Sequence, residues 1–309
     1  MKNTITFIAI SLIVTLASVA KNNVTFSKVV TPIIPDSMLF ADQIIKFDRT
    51  DMYERLDREL TSLSYAHGST MLVLKRANKL FPVLAPILEK NGLPLDFLYL
   101  ACTESLLDYR AYSPAKAAGI WQFIPSTGKL YGLEINEYVD ERLNIEKATI
   151  AACKYLKEAY QRYRNWESVA CSYNGGNGRI SSELSKQQQT STFNLYLTSE
   201  TSRYMFRILA YKLIFESPQK YGFYIQPEQF YFPIEYDVIE INTPIEDWPT
   251  WAVEHGITYA QLREQNPWIR DKYLINKSGK VYQIKVPKKE SLYRSTQKRP
   301  IYNNAWIGK

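Results

Sequence analysis

From about residue 51 to 215, apolar residues recur at three- and four-residue spacing, and no alternating apolar–polar stretch interrupts them. That period keeps one face of a helix apolar, whereas a half-buried strand needs a period of two. TDMYERLDRELTSL carries charges between its apolar positions, and FPVLAPILEKNG reads as a short apolar helix with Gly92 placed to stop it. PLDFLYLACTESLL opens on a proline suited to a first turn and stays apolar for most of its length. DERLNIEKATIAACKYLKEAYQRY is long and amphipathic, WESVACSYN is short, and SETSRYMFRILAYKLIF closes the set. The pattern predicts one all-helical domain over 51–222.

After Ser217 and Pro218 the character changes. QFYFPIEYDVIEI is rich in β-formers, EDWPTWAVEHGITYAQLREQNPW gives two short helical pieces around Gly256, and KVYQIKVP reads as a closing strand. Strand, helix, helix, strand describes a small α+β module at 238–287, joined by a linker at 223–237. The remainder, 288–309, is polar and basic and is expected to be a loosely ordered tail. At the other end, a basic start at Lys2 precedes the uncharged run ITFIAISLIVTLASVA, with small residues at Ser18 and Ala20. This is the layout of a secretory leader over 1–20, with an extension or linker over 21–50. The run is short of the ~20 residues that span a bilayer comfortably, so a retained anchor is the lesser alternative. No cysteine follows it, so no lipid attachment is expected, and the protein is expected in the periplasm or cell envelope.

A net charge of +7 favours polyanionic partners, but the basic residues are dispersed and form no dense run of nucleic-acid type. Cys102, Cys153 and Cys171 are an odd set at irregular spacing, which is no disulfide framework. They read as small buried hydrophobes. His67 and His255 stand far apart without a cysteine or carboxylate cluster, so no metal, cofactor or histidine-dependent triad is expected. Tyrosine, at 23 residues, is unusually abundant; such rings suit either a core or a carbohydrate surface.

One acid stands out. Glu104 lies near the end of the apolar stretch LYLACTESLL, where a carboxylate is partly desolvated. Desolvation raises a carboxyl pKa and holds the proton that a general acid must give. Downstream, AYSPAKAAGIWQFIPSTGKLYGL is rich in small residues around Gly119 and offers an aromatic ring and the Gln122 amide. SYNGGNGRI then places Tyr173 and Asn174 at a helix end before a glycine turn. Each segment alone would pass for a loop; together they are suited to a sugar.

Four ordered motifs carry a resemblance: Glu104-Ser105; Gly119-Ile120-Trp121-Gln122 with Phe123; Ser172-Tyr173-Asn174 with Gly175; and Glu200, Thr201, Arg203, Tyr204. The set, covering about 51–222, resembles the lytic murein transglycosylases of the goose-type lysozyme fold, in their membrane-bound D type. It departs from them at Ile120, where leucine is usual, and at Ser202-Arg203, where arginine more often comes first. The resemblance implies a mainly α chain with a lysozyme-like catalytic domain. It also implies cleavage of the bond between N-acetylmuramic acid and N-acetylglucosamine, with Glu104 as sole acid and then base, and a 1,6-anhydro product. By the same resemblance Ser105, Gln122, Tyr173, Asn174 and Tyr204 bind substrate, with Tyr204 a candidate hydrogen-bond partner of Glu104. Asp108 is the one nearby second acid the pattern offers, a helical turn on, and reads as a turn-former or solvated residue.

The stretch 238–287 resembles a LysM domain through Trp251-Ala252, Gly256-Ile257-Thr258, Leu262, Asn266-Pro267-Trp268 and Tyr282-Gln283-Ile284. INTPIEDWP stands where a glycine-containing turn usually opens that module, so sugar binding and mere packing on the catalytic domain both stay open. The expected partner is the peptidoglycan glycan strand, not nucleic acid, for a monomer associated with the cell envelope. A hydrolase of the goose-type lysozyme kind and a non-catalytic wall-binding protein are the rival readings.

Overall fold

A computed structural model describes residues 29–308; the leader expected at 1–20 lies outside them. The chain order is β1 (Ser37–Phe40), β2 (Gln43–Lys46), α1 (Thr50–Tyr65), α2 (His67–Lys90), α3 (Leu98–Ser105) and α4 (Pro125–Leu130). There follow α5 (Ile145–Tyr163), α6 (Trp166–Gly175), α7 (Asn177–Lys186) and α8 (Ser199–Glu216). The module comprises β3 (Tyr236–Ile241), α9 (Trp248–Glu254), α10 (Tyr259–Gln265) and β4 (Tyr282–Pro287). No helix among the described residues is long and apolar enough to cross a membrane.

Helix α8 is the axis of the helical domain. Its buried positions, from Tyr204 and Met205 through Tyr211 to Phe215, fall on nearly every face, and α1, α3 and α6 pack around it. A helix apolar all round must be surrounded, and its few charges need partners. Arg203 and Arg207 both pair with Glu59 of α1, a carboxylate only 1% exposed. Arg203 therefore serves the α1–α8 contact.

Several elements differ from the sequence reading for identifiable reasons. The helix expected at 81–92 is the second half of α2, which runs on through Pro82 and Pro86. The buried row Val73, Leu74, Ala77, Phe81, Leu84 and Leu88 continues across the prolines, so packing outweighs the lost backbone bonds. Gly92 does end the helix, at φ +67, with the Leu93 amide donating to the Leu88 carbonyl. Helix α3 stops at Ser105 because Leu106 and Leu107 both take left-handed backbone angles, φ 53 and 55. Burial of Leu107 and a bond from Arg76 Nη1 to the Leu106 carbonyl hold this strained turn.

Part of the expected extension at 21–50 folds as the β1–β2 hairpin. Its turn residues Ala41 and Asp42 have positive φ, and the Ala41 amide donates to Asp96 Oδ2 at 2.5 Å. In the linker expected at 223–237, Phe223, Ile225, Phe230 and Phe232 are buried against the helices. The expected loose tail is likewise ordered. Trp306 is buried, stands edge-on to Phe81 and Phe215, and donates its indole N–H to the Phe215 carbonyl at 2.9 Å. Asn78 of α2 ties Tyr231, Pro300 and Tyr302 together through their backbones. The tail's basic composition concealed Trp306, whose apolar burial outweighs the tail's charge, and Tyr302, whose ring packs against Phe81 and Trp306.

Strands β3 and β4 pair antiparallel with Ile239 opposite Ile284, and α9 and α10 lie between them in sequence. Asn266, fully buried, donates to the Leu262 and Lys285 carbonyls and accepts from the Lys285 amide, clamping α10 to β4. The module shares an apolar cluster with Ala118, Val139 and Leu143 of the helical domain; Trp248, Trp251 and Trp268 are buried within it. A β-bridge between Val139 and Ile269, and the Asp140 amide donating to the Trp268 carbonyl, join the two backbones.

Candidate active site

Glu104 sits on the last turn of α3, whose other positions are mostly buried. Its carboxylate accepts a hydrogen bond from the hydroxyl of Tyr204, a hundred residues on and buried in α8. Burial pushes the Glu104 pKa up from 4.5 to about 7; the Tyr204 bond opposes the rise, Glu200 adds to it and Arg207 subtracts. A desolvated carboxyl of this kind holds its proton near neutrality and, once ionised, keeps one hydrogen-bond donor.

Glu104 opens onto a cleft of about 950 Å³. One wall is the loop at 113–124. Gly119 there has φ +79, and a Cβ would stand 1.9 Å from the Arg142 carbonyl oxygen, so only glycine fits. Trp121 is fully buried and donates to Thr149 Oγ1, fixing the loop from behind. Gln122, at φ 50, donates its amide nitrogen to the Gly119 carbonyl at 2.8 Å and to the Ala111 carbonyl, leaving its amide oxygen for a ligand. The opposite wall is the end of α6. There Tyr173 donates to the Trp121 carbonyl at 2.8 Å, and Asn174 accepts from Thr201 Oγ1 at 3.0 Å.

Gln122, Tyr173 and Asn174 therefore line the cleft beside Glu104. Ser105 does not. It is 8% exposed and donates to the Ile120 carbonyl at 2.9 Å, so its hydroxyl braces the loop from behind the cleft. Tyr204 is also absent from the cleft wall; it touches the acid and not the space in front of it. Asp108 is not a helical turn from Glu104, because α3 ends first. Its carboxylate caps its own turn through the Arg110 amide and faces Arg76 at 3.5 Å.

Glu200, read from the sequence only as a member of the fourth motif and not as a second acid, lines the same cleft from the first turn of α8. The signal was present: Glu200 and Tyr204 are four residues apart on one helix and so share a face. Once Tyr204 is aimed at Glu104, Glu200 must point the same way. Among the described residues no group of His, Cys, Asp and Glu could hold a metal ion, and the three cysteines are buried and unbridged.

Residues 85–196 match the family model of the transglycosylase SLT domain. Residues 237–290 match that of the soluble lytic transglycosylase C-terminal LysM-like domain. The chain is 29% identical over 243 residues to the membrane-bound lytic murein transglycosylase D of Escherichia coli (strain K12), covering 77% of this chain and 52% of that protein. It is 26% identical over 117 residues to a putative tributyltin chloride resistance protein of Alteromonas sp. (strain M-1), covering 38% of this chain and 56% of that one. The chain thus spans about half the length of the curated relatives it matches. Among solved structures, the 70 kDa soluble lytic transglycosylase of Escherichia coli is similar at a TM-score of 0.38 and 18% identity, over 55% of this chain and 31% of that chain.

Proposed function

From a chain that joins an SLT transglycosylase domain to a LysM-like domain, we propose a peptidoglycan lytic transglycosylase in which Glu104 is the acid and then the base. The observation that carries the reading is the desolvated Glu104 carboxyl, held by Tyr204 at the floor of a sugar-sized cleft. Protonated Glu104 gives its proton to the glycosidic oxygen as the bond to the anomeric carbon of N-acetylmuramic acid breaks. The carbonyl oxygen of the substrate's own N-acetyl group steadies that carbon, in the substrate-assisted manner. The Glu104 carboxylate then takes the C6 hydroxyl proton, the C6 oxygen closes on the anomeric carbon, and the N-acetyl oxygen is released. Glu104 ends protonated, ready for another cycle, and no water enters the product. The Tyr204 bond favours the intermediate carboxylate, while burial favours the protonated start and finish. The site of action is the cell envelope, where such strands are found.

Glu200 favours a second reading. A second carboxylate in the cleft could hold a water and make the enzyme a hydrolase, as in the two-carboxylate glycosidases. Mass spectrometry of fragments released from purified peptidoglycan separates the two. Fragments lighter by one water, ending in 1,6-anhydro-muramic acid and absent with Glu104→Gln, are expected. Ordinary reducing ends would establish the hydrolase, and their loss with Glu200→Gln would assign Glu200 as its base. Sedimentation with the wall without any fragments would leave a wall-binding protein.

A further inference from the structure

Beside the cleft, where the LysM-like module meets the helical domain, lies a second pocket of about 480 Å³. Arg110 and Tyr112 border it from the helical side, and Arg263, Glu264, Ile269 and Arg270 from the module. It holds more positive charge than its surroundings neutralise. Arg110 is paired with Glu264 at 2.7 Å, and the same carboxylate also accepts from Tyr109. Neither Arg263 nor Arg270 has a carboxylate partner among the described residues. Arg270 donates from Nη1 to the Asn136 carbonyl, and Arg263 donates from Nη1 to the Tyr259 hydroxyl. The Nε of Arg263 is shielded from solvent and bonded to nothing. Both guanidinium groups border the pocket without a carboxylate among the described residues to neutralise them, which favours an anionic ligand there.

The position is as informative as the charge. Tyr112 borders this pocket while the next residue, Ser113, lines the catalytic cleft, so a single stretch of chain separates the two. The two spaces adjoin along this stretch, and a peptide stem extends about 3.5 Å per residue. Planar guanidinium groups match a carboxylate with paired hydrogen bonds.

We propose that the junction pocket binds a carboxylate of the peptide stem borne by N-acetylmuramic acid, with Arg263 and Arg270 as its ligands and Tyr112 as an apolar side wall. This rests on the reading of the cleft as a peptidoglycan site. The LysM-like module then completes the substrate track of the catalytic domain, and its buried tryptophans are the means of docking it there. Arg263 and Arg270 are positioning residues, so their removal weakens the hold on stem-bearing strands and leaves the bond-breaking step alone.

The test compares wild type with Arg263→Gln/Arg270→Gln on soluble glycan strands that carry stems and on the same strands stripped by an amidase. The double variant is expected to raise KM roughly tenfold or more on stem-bearing strands, with kcat unchanged and stripped strands cleaved as before. An equal loss on both substrates, or none on either, would overturn the assignment. A binding arm does not depend on turnover: free stem tetrapeptide is titrated into Glu104→Gln protein by calorimetry, with and without the two arginine substitutions. Binding that requires the arginines is expected. No binding to the arginine-containing protein would refute the pocket, as would displacement of the peptide by inorganic phosphate at equal concentration, which would make it a general anion site. If wild type cleaves neither kind of strand, the cleft reading fails while the peptide titration still decides the pocket.

Discussion

Replacing Glu104 with glutamine should stabilise the protein in neutral and alkaline solution while abolishing its activity. The folded protein raises the Glu104 pKa from 4.5 to about 7, chiefly by burial. A carboxyl with a raised folded-state pKa binds its proton more tightly when folded, so its contribution is complete below pH 4.5 and is lost as pH climbs to about 7. Each pKa unit is worth about 1.4 kcal/mol, so the ionised group costs about 3 kcal/mol above pH 7; partial exposure of the side chain reduces this to about 2. Glutamine is neutral, nearly the same size, and can still accept from the Tyr204 hydroxyl. The variant should therefore match wild type in urea unfolding at pH 4.5 and exceed it by about 2–3 kcal/mol at pH 8. Loss of the acid should lower turnover of peptidoglycan by roughly 10²–10⁴-fold or more. A stability difference that is equal at both pH values would refute the reasoning, because it would show that Glu104 is not desolvated in the folded protein.

Tyr204→Phe removes the hydroxyl that favours the Glu104 carboxylate, so the alkaline limb of the pH–rate profile should move up by about one unit, with kcat reduced roughly tenfold; an unmoved limb would separate Tyr204 from the acid. Gly119→Ala drives a Cβ against the Arg142 carbonyl at a positive φ and should cost roughly 3 kcal/mol or more in chemical denaturation, with loss of the cleft wall. Trp306→Ala should cost about 3 kcal/mol and expose the chain after 288 to proteases, where a loosely ordered tail would show no change in either measurement.

Four positions mark how far local pattern reaches into the site. Gln122, Tyr173 and Asn174 were legible because turn residues and amides flanking a helix end are local features, and the cleft is made from such ends. Ser105 was not. It follows Glu104 directly, yet its hydroxyl faces inward to the Ile120 carbonyl of a loop fifteen residues on, a contact no local pattern predicts, just as the helix stop at Leu106 and Leu107 is not predicted. No local rule places two leucines in left-handed backbone; tertiary packing imposes it.

The sequence by itself determined the helical periodicity of 51–215, the order and type of the module's strands and helices, and the presence of one glutamate in an apolar helix. Those depend on spacing and on side-chain transfer out of water, which act over a few residues. Tertiary structure decided which groups meet. It aimed Tyr204 at Glu104, brought Glu200 into the same cleft, folded the basic tail onto Phe81 and Phe215, and set Arg263 and Arg270 beside Tyr112. These contacts join residues far apart in the chain, and their geometry follows from helix crossing and from where each helix ends, which the periodicity of a single segment does not encode.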